Sequence, residues 1–354
     1  MDSNQLKKFK GEKKMKKLIT VLSIAGLLVM TVVGHAAENP KVIRLGLVGN
    51  AYGKPYTGGP QGYVNEHGLL EKEFAKDGIR IELSYFKGAG PAVNEALASG
   101  LADFGSVGDL VVIVGKAGGL KTKYILSSSP GGNTYIQVNP DSGIKSLKDL
   151  RGKKIGVNKG TYLHLALVRI LESVGLTEKD VRLVNLNAGD ANAALATKSV
   201  DAIASSADRP LVDQGIAKLL FDTRKSPAFQ SGPGGLLVSE DFTKKYPDIT
   251  KRVVKVLLRG YYWASQEKNR EAALALSLKT GTSYKNSKED IAGQDLYKKY
   301  DPRITAGTAR FYKETIDYAF NHGIIRKKFN VEDLLDKSFS EAALKELGLE
   351  NYWK

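Results

Sequence analysis

Residues 88–110 read G-A-G-P-A-V-N-E-A-L-A-S-G-L-A-D-F-G-S-V-G-D-L. A bare turn, Gly88-Ala89-Gly90, opens a helical run in which Pro91 suits the first turn, because the N–H it lacks would be unpaired there anyway. An apolar run, Ala102–Val107, follows. A second bare turn, Ser106-Val107-Gly108-Asp109, then leads into the helical stretch from Leu110 to Ala117. Glycine turns set between strand ends and helix starts are the joints of an α/β fold.

The same unit continues on both sides. Val42–Val48 reads as a buried strand ending in the loop Gly49–Tyr56, Gly62–Lys76 as a helix, and Ile79–Phe86 and Tyr124–Ser129 as strands. A second series carries strands at Thr134–Val138, Lys154–Asn158, Arg182–Leu186, Asp201–Ser205 and Ala217–Asp222. Its helices are expected over Tyr162–Val174, Gly189–Thr197 and Pro210–Gly215, and Lys159-Gly160-Thr161 repeats the glycine turn with Thr161 at an N-cap. Gly235–Ser239 reads as a strand returning to the first series, and the chain is mostly helical from Phe242 onward. Alternating strands and helices predict two α/β lobes built on parallel sheets. The first is expected over 37–129 and 231–354, the second over 130–230. Ligands of open α/β sheets sit outside the carboxyl ends of the strands, so the turns should meet in a cleft between the lobes.

The first 36 residues follow a different logic. Seven lysines precede the apolar run Leu18–Gly34, and the small residues of G-H-A-A follow it, the order of a secretory leader. Cleavage is expected after Ala36 or Ala37, with Met1 or Met15 as the start. The formal charge of +15 falls to +10 once the leader, with seven lysines and two acids, is removed. No Lys/Arg run interleaved with aromatics follows, which argues against nucleic-acid binding, whereas a positive field favours capture of small anions.

The chain has no cysteine. That excludes thiolate catalysis, disulfides and a lipid-anchored N-terminus, and no metal or cofactor is expected. His67, His164 and His322, the histidines beyond the leader, lie in no G-x-S-x-G or H-E-x-x-H setting, and no G-x-x-x-x-G-K-[ST] loop occurs. The sequence thus assigns no catalytic residue, and the protein is expected not to be an enzyme. Uncovered backbone N–H groups at three helix starts point to an anion-accepting cleft.

The stretch F-K-G-A-G-P-A-V-N-E-A-L-A-S-G-L-A-D-F-G-S-V-G-D resembles the ABC-transporter solute-binding proteins for aliphatic sulfonates, taurine and nitrate, grouped with the NMT1/THI5-like proteins. S-L-K-D-L-R-G-K-K-I-G-V-N-K-G-T-Y-L-H-L-A-L-V-R-I-L-E-S-V-G-L-T, V-D-A-I-A and K-K-Y-P-D-I-T-K-R-V continue the likeness over nearly the whole chain beyond the leader. The resemblance implies a type II periplasmic-binding-protein fold, with a ligand cleft between two α/β lobes. It also implies a monomer free in the periplasm that hands a small anionic solute to an ABC permease and its ATPase. A sulfonate is the expected ligand. Nitrate, a carboxylate, a thiamine-pyrimidine-type solute or a sensor-kinase role are the alternatives.

Carried over position by position, ligand contacts fall on Asn50, Ala51 and Tyr52; Gly88, Ala89 and Gly90; Ser106, Gly108 and Asp109; and Lys159, Gly160 and Thr161. His164, one turn into the following helix, is either a contact or a capping or core residue. The family often has W-D-P-Y after V-D-A-W-A-I, where the tryptophan walls the pocket. This chain has S-S-A-D-R-P at Ser205–Pro210. Asp208 and Arg209 therefore become candidates. The arginine either offers a planar fork to an anion or pairs with Asp208 or Asp213.

Overall fold

The computed structural model describes residues 38–49, 53–128, 130, 132–206 and 209–354. Among them the strands are, in chain order, β1 (Val42–Val48), β2 (Arg80–Phe86), β3 (Phe104–Val107), β4 (Thr122–Ser127), β5 (Tyr135–Val138), β6 (Lys154–Val157), β7 (Arg182–Asn185), β8 (Ala202–Ser205), β9 (Lys218–Asp222) and β10 (Gly235–Ser239). They form two five-stranded sheets, ordered β2-β1-β3-β10-β4 and β7-β6-β8-β5-β9.

The sheets are mixed, not wholly parallel as strand alternation led us to expect. β10 runs antiparallel between β3 and β4, and β5 runs antiparallel between β8 and β9. Each reversed strand is the first that the chain makes on arriving from the other sheet. The chain leaves β4 or β9 at its carboxyl end and crosses directly. It therefore enters the next sheet at the end where the parallel strands finish, with no helix to carry it back first.

Each sheet is covered on both faces. In β10 the alternation of side chains sends Leu236 and Val238 to a core with Ile43, Leu45, Phe74, Val253 and Trp353, and Leu237 to a core with Val93, Leu97, Val111 and Tyr312. In the second sheet Ile155, Val157 and Ala202 share a core with Leu167 and Leu171, while Ile203 faces Ala191 and Leu195. Each fully buried Leu, Ile or Val contributes roughly 1.5–3 kcal/mol.

A close approach fixes where the first glycine turn lies. A Cβ on Gly105 in β3 would meet Val93 at 2.7 Å and Leu97 at 2.8 Å. Only glycine lets helix Ala89–Ala98 lie this close to the sheet, with its N-terminus beside the carboxyl ends of β1 and β3.

Beyond β10 the chain is helical. Helix Pro247–Ala264 packs on helices Gly59–Glu66 and Ser338–Glu346, and helix Arg270–Leu278 also packs on Gly59–Glu66. Helix Tyr284–Ile291 packs on Arg270–Leu278 and reaches across to the second sheet through polar side chains.

Candidate functional site

A cavity of about 480 Å³ opens between the carboxyl ends of the two sets of parallel strands. Four helix N-termini border it, with Ala89, Asp109, Tyr162 and Ala188 as the lining residues of their first turns. Two of these helices follow strands of the first sheet and two follow strands of the second. The first residues of a helix leave backbone N–H groups without intrahelical partners. At Gly88, Gly108 and Thr161, the caps of three of the helices, no side chain fills that role. The fourth differs, because Asn187 accepts from the Asp190 N–H. Three helix starts therefore offer donors to the cavity, each worth about 0.3–1 kcal/mol toward an anion when exposed and more when water is excluded, although at helix Asp109–Ala117 the Leu110 N–H is taken by the Asp109 carboxylate.

Ala89 sits at φ 54°, a left-handed conformation that non-glycine residues seldom adopt. Such backbone persists where its surroundings hold it, commonly at ligand sites. Its neighbour Gly90 is pressed against helix Asp109–Ala117, where a Cβ would lie 2.3 Å from Val111 Cγ2. Gly90→Ala should therefore cost about 1–3 kcal/mol of stability through overpacking, measured by urea unfolding.

Of the residues singled out from sequence, Ala89, Gly90, Ser106, Gly108, Asp109 and Thr161 line the cavity. Gly88, Lys159 and Gly160 shape the turns without lining it; the Lys159 N–H goes to Asn185 Oδ1 at 2.9 Å and the Gly160 N–H to His164 Nδ1 at 3.3 Å. Asn50, Ala51, Tyr52 and Asp208 lie outside the described residues.

Two ligand-contact expectations, His164 and Arg209, need correction, and the N-cap expected at Thr161 is present in a different form. Thr161 stands at the N-cap, but its hydroxyl donates back to the Asn158 carbonyl at 2.7 Å and does not accept from the helix. His164 turns into the second lobe, where Nε2 meets Glu178 Oε1 at 2.6 Å and holds that carboxyl below its usual range. Arg209 is 4% exposed and does not line the cavity. Its guanidinium lies 4.2 Å from the Tyr135 ring centroid, and Nη2 donates to Glu289 Oε2 at 2.8 Å and Asn286 Oδ1 at 3.0 Å. Those acceptors sit on helix Tyr284–Ile291, about 80 residues further along the chain.

Asp109 is the acid of the cavity. It is the first residue inside its helix, with Gly108 at the cap. Oδ1 accepts from the Leu110 N–H at 2.6 Å and Oδ2 from the Gly232 N–H at 2.8 Å, so this carboxylate ties the second crossover to the first lobe. Burial pushes its pKa up to about 6, against the lowering effect of those two N–H groups and of Arg169.

Several lining residues went unread in the sequence. Lys87, directly before the first glycine turn, lines the cavity and lies 3.5 Å from Asp190 of the opposite lobe. Its position at a strand end was the available signal. Asn158, Ser206 and Ser231 come from turns and the crossover, and Thr280 and Thr282 from the segment that leads into helix Tyr284–Ile291, while Tyr56 and Tyr162, tyrosines among which the sequence does not choose, line it from the two lobes. The two threonines carry no local motif, and only topology brings them here.

The model of a family described as NMT1/THI5 like matches residues 73–271. A Bacillus subtilis protein named as an aliphatic sulfonates-binding protein is 30% identical over 291 residues, which span 80% of this chain and 84% of that one. A crystal structure named as the periplasmic sulfonate-binding protein SsuA of Methylobacillus flagellatus is similar at 31% identity and a TM-score of 0.73, over 90% of this chain and 98% of that one. The desulfurization enzyme DSZB, at 17% identity and a TM-score of 0.64 over 87% of this chain and 100% of that one, has the same fold. Fold alone therefore does not separate binding from catalysis.

Proposed function

The chain belongs to the NMT1/THI5-like family, and from that premise we propose that it is the solute-binding component of an ABC importer, taking a small organic sulfonate between its lobes. One observation carries the reading: helix N-termini from both sheets converge on one cleft, beside the Lys87 ammonium and the Ser106 hydroxyl. A sulfonate presents three acceptor oxygens and a single charge, which suits several backbone donors from different directions better than one cationic fork. Closure would bring both lobes onto the ligand, a population shift driven by contacts that only the closed form completes. The moving bodies are residues 37–129 with 231–354 against 130–230, turning on the crossovers near 128–134 and 223–234. Localisation in the periplasm after loss of residues 1–36, a monomeric state, and delivery to a permease with its ATPase belong to the same proposal.

Binding is favoured over catalysis by two features. The chain has no cysteine. His164 and His322 are engaged with Glu178 and Glu172, and His67 packs beside Tyr63.

Calorimetry with ethanesulfonate, nitrate, acetate and a thiamine pyrimidine precursor tests the reading. Ethanesulfonate should bind in the micromolar range, equivalent to about 8 kcal/mol. Lys87→Met and Ser106→Ala should each weaken it about tenfold, the scale of one lost hydrogen bond to a charged group. Tighter binding of nitrate or acetate would replace sulfonate as the ligand class. Turnover of any of them without a shift in Tm would overturn the receptor reading.

A further inference from the structure

A second cavity, of about 720 Å³, lies on the other side of the second crossover from the ligand cleft, and Ser231 and Gly232 line both. Its walls combine Pro130 and Pro233 of the two crossovers with Phe311 of helix Ala306–Asn321. Arg169, from helix Tyr162–Glu172 of the second lobe, and Lys299, from the C-terminal helices, face into it.

Neither cation has a carboxylate within ion-pair distance among the described residues; Asp109 acts on Arg169, and Asp290 on Lys299, from further off. Arg169 lies over the Tyr318 ring at 5.0 Å and Lys299 over the Tyr300 ring at 6.0 Å. Burial lowers the Lys299 pKa. Thr315 lines the same wall, with its hydroxyl oxygen turned away from the space. The acids of the cavity are Asp295, which lies 3.8 Å from Lys298, and Glu314, which is exposed. Two part-buried cations that face one space, neither with a carboxylate in contact, favour an anion between them.

We propose that this cavity is a second anion site, built for a small tetrahedral oxyanion of the phosphate class held by Arg169 and Lys299. A phosphate offers enough acceptor oxygens for a guanidinium fork and an ammonium together. Because Arg169 comes from one lobe and Lys299 from the C-terminal helices that follow the other, the bound anion bridges the two bodies across the crossover. Arg169 also acts electrostatically on Asp109, which holds the Gly232 N–H. Occupancy behind the crossover is thereby coupled to the ligand cleft in front of it.

The test is calorimetric titration of inorganic phosphate into the full chain beyond the leader. The variants are Arg169→Met, Lys299→Met, Lys299→Arg and, for the cleft, Lys87→Met. Phosphate should bind the wild type and Lys87→Met alike. Arg169→Met and Lys299→Met should each weaken it at least about tenfold, as loss of a charge-assisted contact implies. Lys299→Arg, which keeps the charge, should stay within about threefold and guards against a folding artefact in the methionine variant. The proposal is overturned by absence of binding at 10 mM phosphate, by unchanged binding in both methionine variants, or by loss of binding in Lys87→Met alone, which would put phosphate in the cleft.

Discussion

Replacing Arg209 with methionine should lower the unfolding free energy by about 3 kcal/mol, the lower end of the cost of breaking a buried ion pair. The guanidinium sits among Glu289 at 2.8 Å, Asp290 at 3.5 Å and Asn286 at 3.0 Å, stacked on Tyr135. Removing it takes from the Asp290 carboxylate, which also meets the Tyr135 hydroxyl, the guanidinium beside it and leaves the more distant charge of Lys299. Glu289 suffers less, because it is 41% exposed and keeps Arg224 at 3.3 Å, which is why the lower figure is expected. Arg209→Lys should recover less than half of the loss, since a point charge cannot serve three acceptors and stack on a ring at once. Urea unfolding reads both effects, and a loss under about 1 kcal/mol would contradict the account. The same variant should weaken ethanesulfonate severalfold. Helix Tyr284–Ile291 is anchored to the second lobe by this network, together with Asp213 to Lys285 and Asn286, and it follows the Thr280–Thr282 wall of the cleft.

The second large effect is a pH dependence centred on Asp109. Its folded pKa of about 6 lies above the ordinary value of 3.8, so the folded state binds the proton more tightly than the unfolded one. The resulting stabilisation is fully present below pH 3.8 and is lost as pH rises through about 6. Over that window the change amounts to about 3 kcal/mol, because each tenfold difference in proton affinity is worth about 1.4 kcal/mol. Stability measured from pH 4.5 to 7.5 should fall in the wild type relative to Asp109→Asn, which cannot titrate. The amide also gives up one of the two acceptors that serve Leu110 and Gly232, so the variant should be less stable at every pH, with the slope as the readout. Parallel curves for the two proteins would rule the effect out. An anion in the cleft should share the trend, because the ionised Asp109 repels it: ethanesulfonate should bind more weakly at pH 7.5 than at pH 5 in the wild type, and equally at both in Asp109→Asn.

Much of the fold was legible because it rests on local rules. Every strand run read from the sequence overlaps a strand of the structure, since runs such as Val42–Val48 and Lys154–Val157 are short, apolar and bounded by turn residues. The turns around Gly90, Gly108 and Thr161 were legible for the same reason, because a glycine beside a helix start has a short-range signature. The direction of β5 and β10 was not, because it depends on which end of a sheet the chain enters.

The site divides along the same line. Its backbone donors could be read from spacing within the turns. Its side chains mostly could not: Arg209 and Glu289 are 80 positions apart, and Asp109 and Gly232 are 123. Arg209, read as a possible arm into the cleft, is held by partners that local sequence does not reveal.

The amino-acid sequence by itself determined that helices with uncovered N-termini follow glycine turns at strand ends, because φ freedom, the missing N–H of proline and hydrophobic periodicity all act over a few residues. Only the tertiary structure decided which of the charged groups face the cleft. A charge settles where distant elements bring it a partner and exclude water, and that arrangement exists only once both lobes and the C-terminal helices have packed.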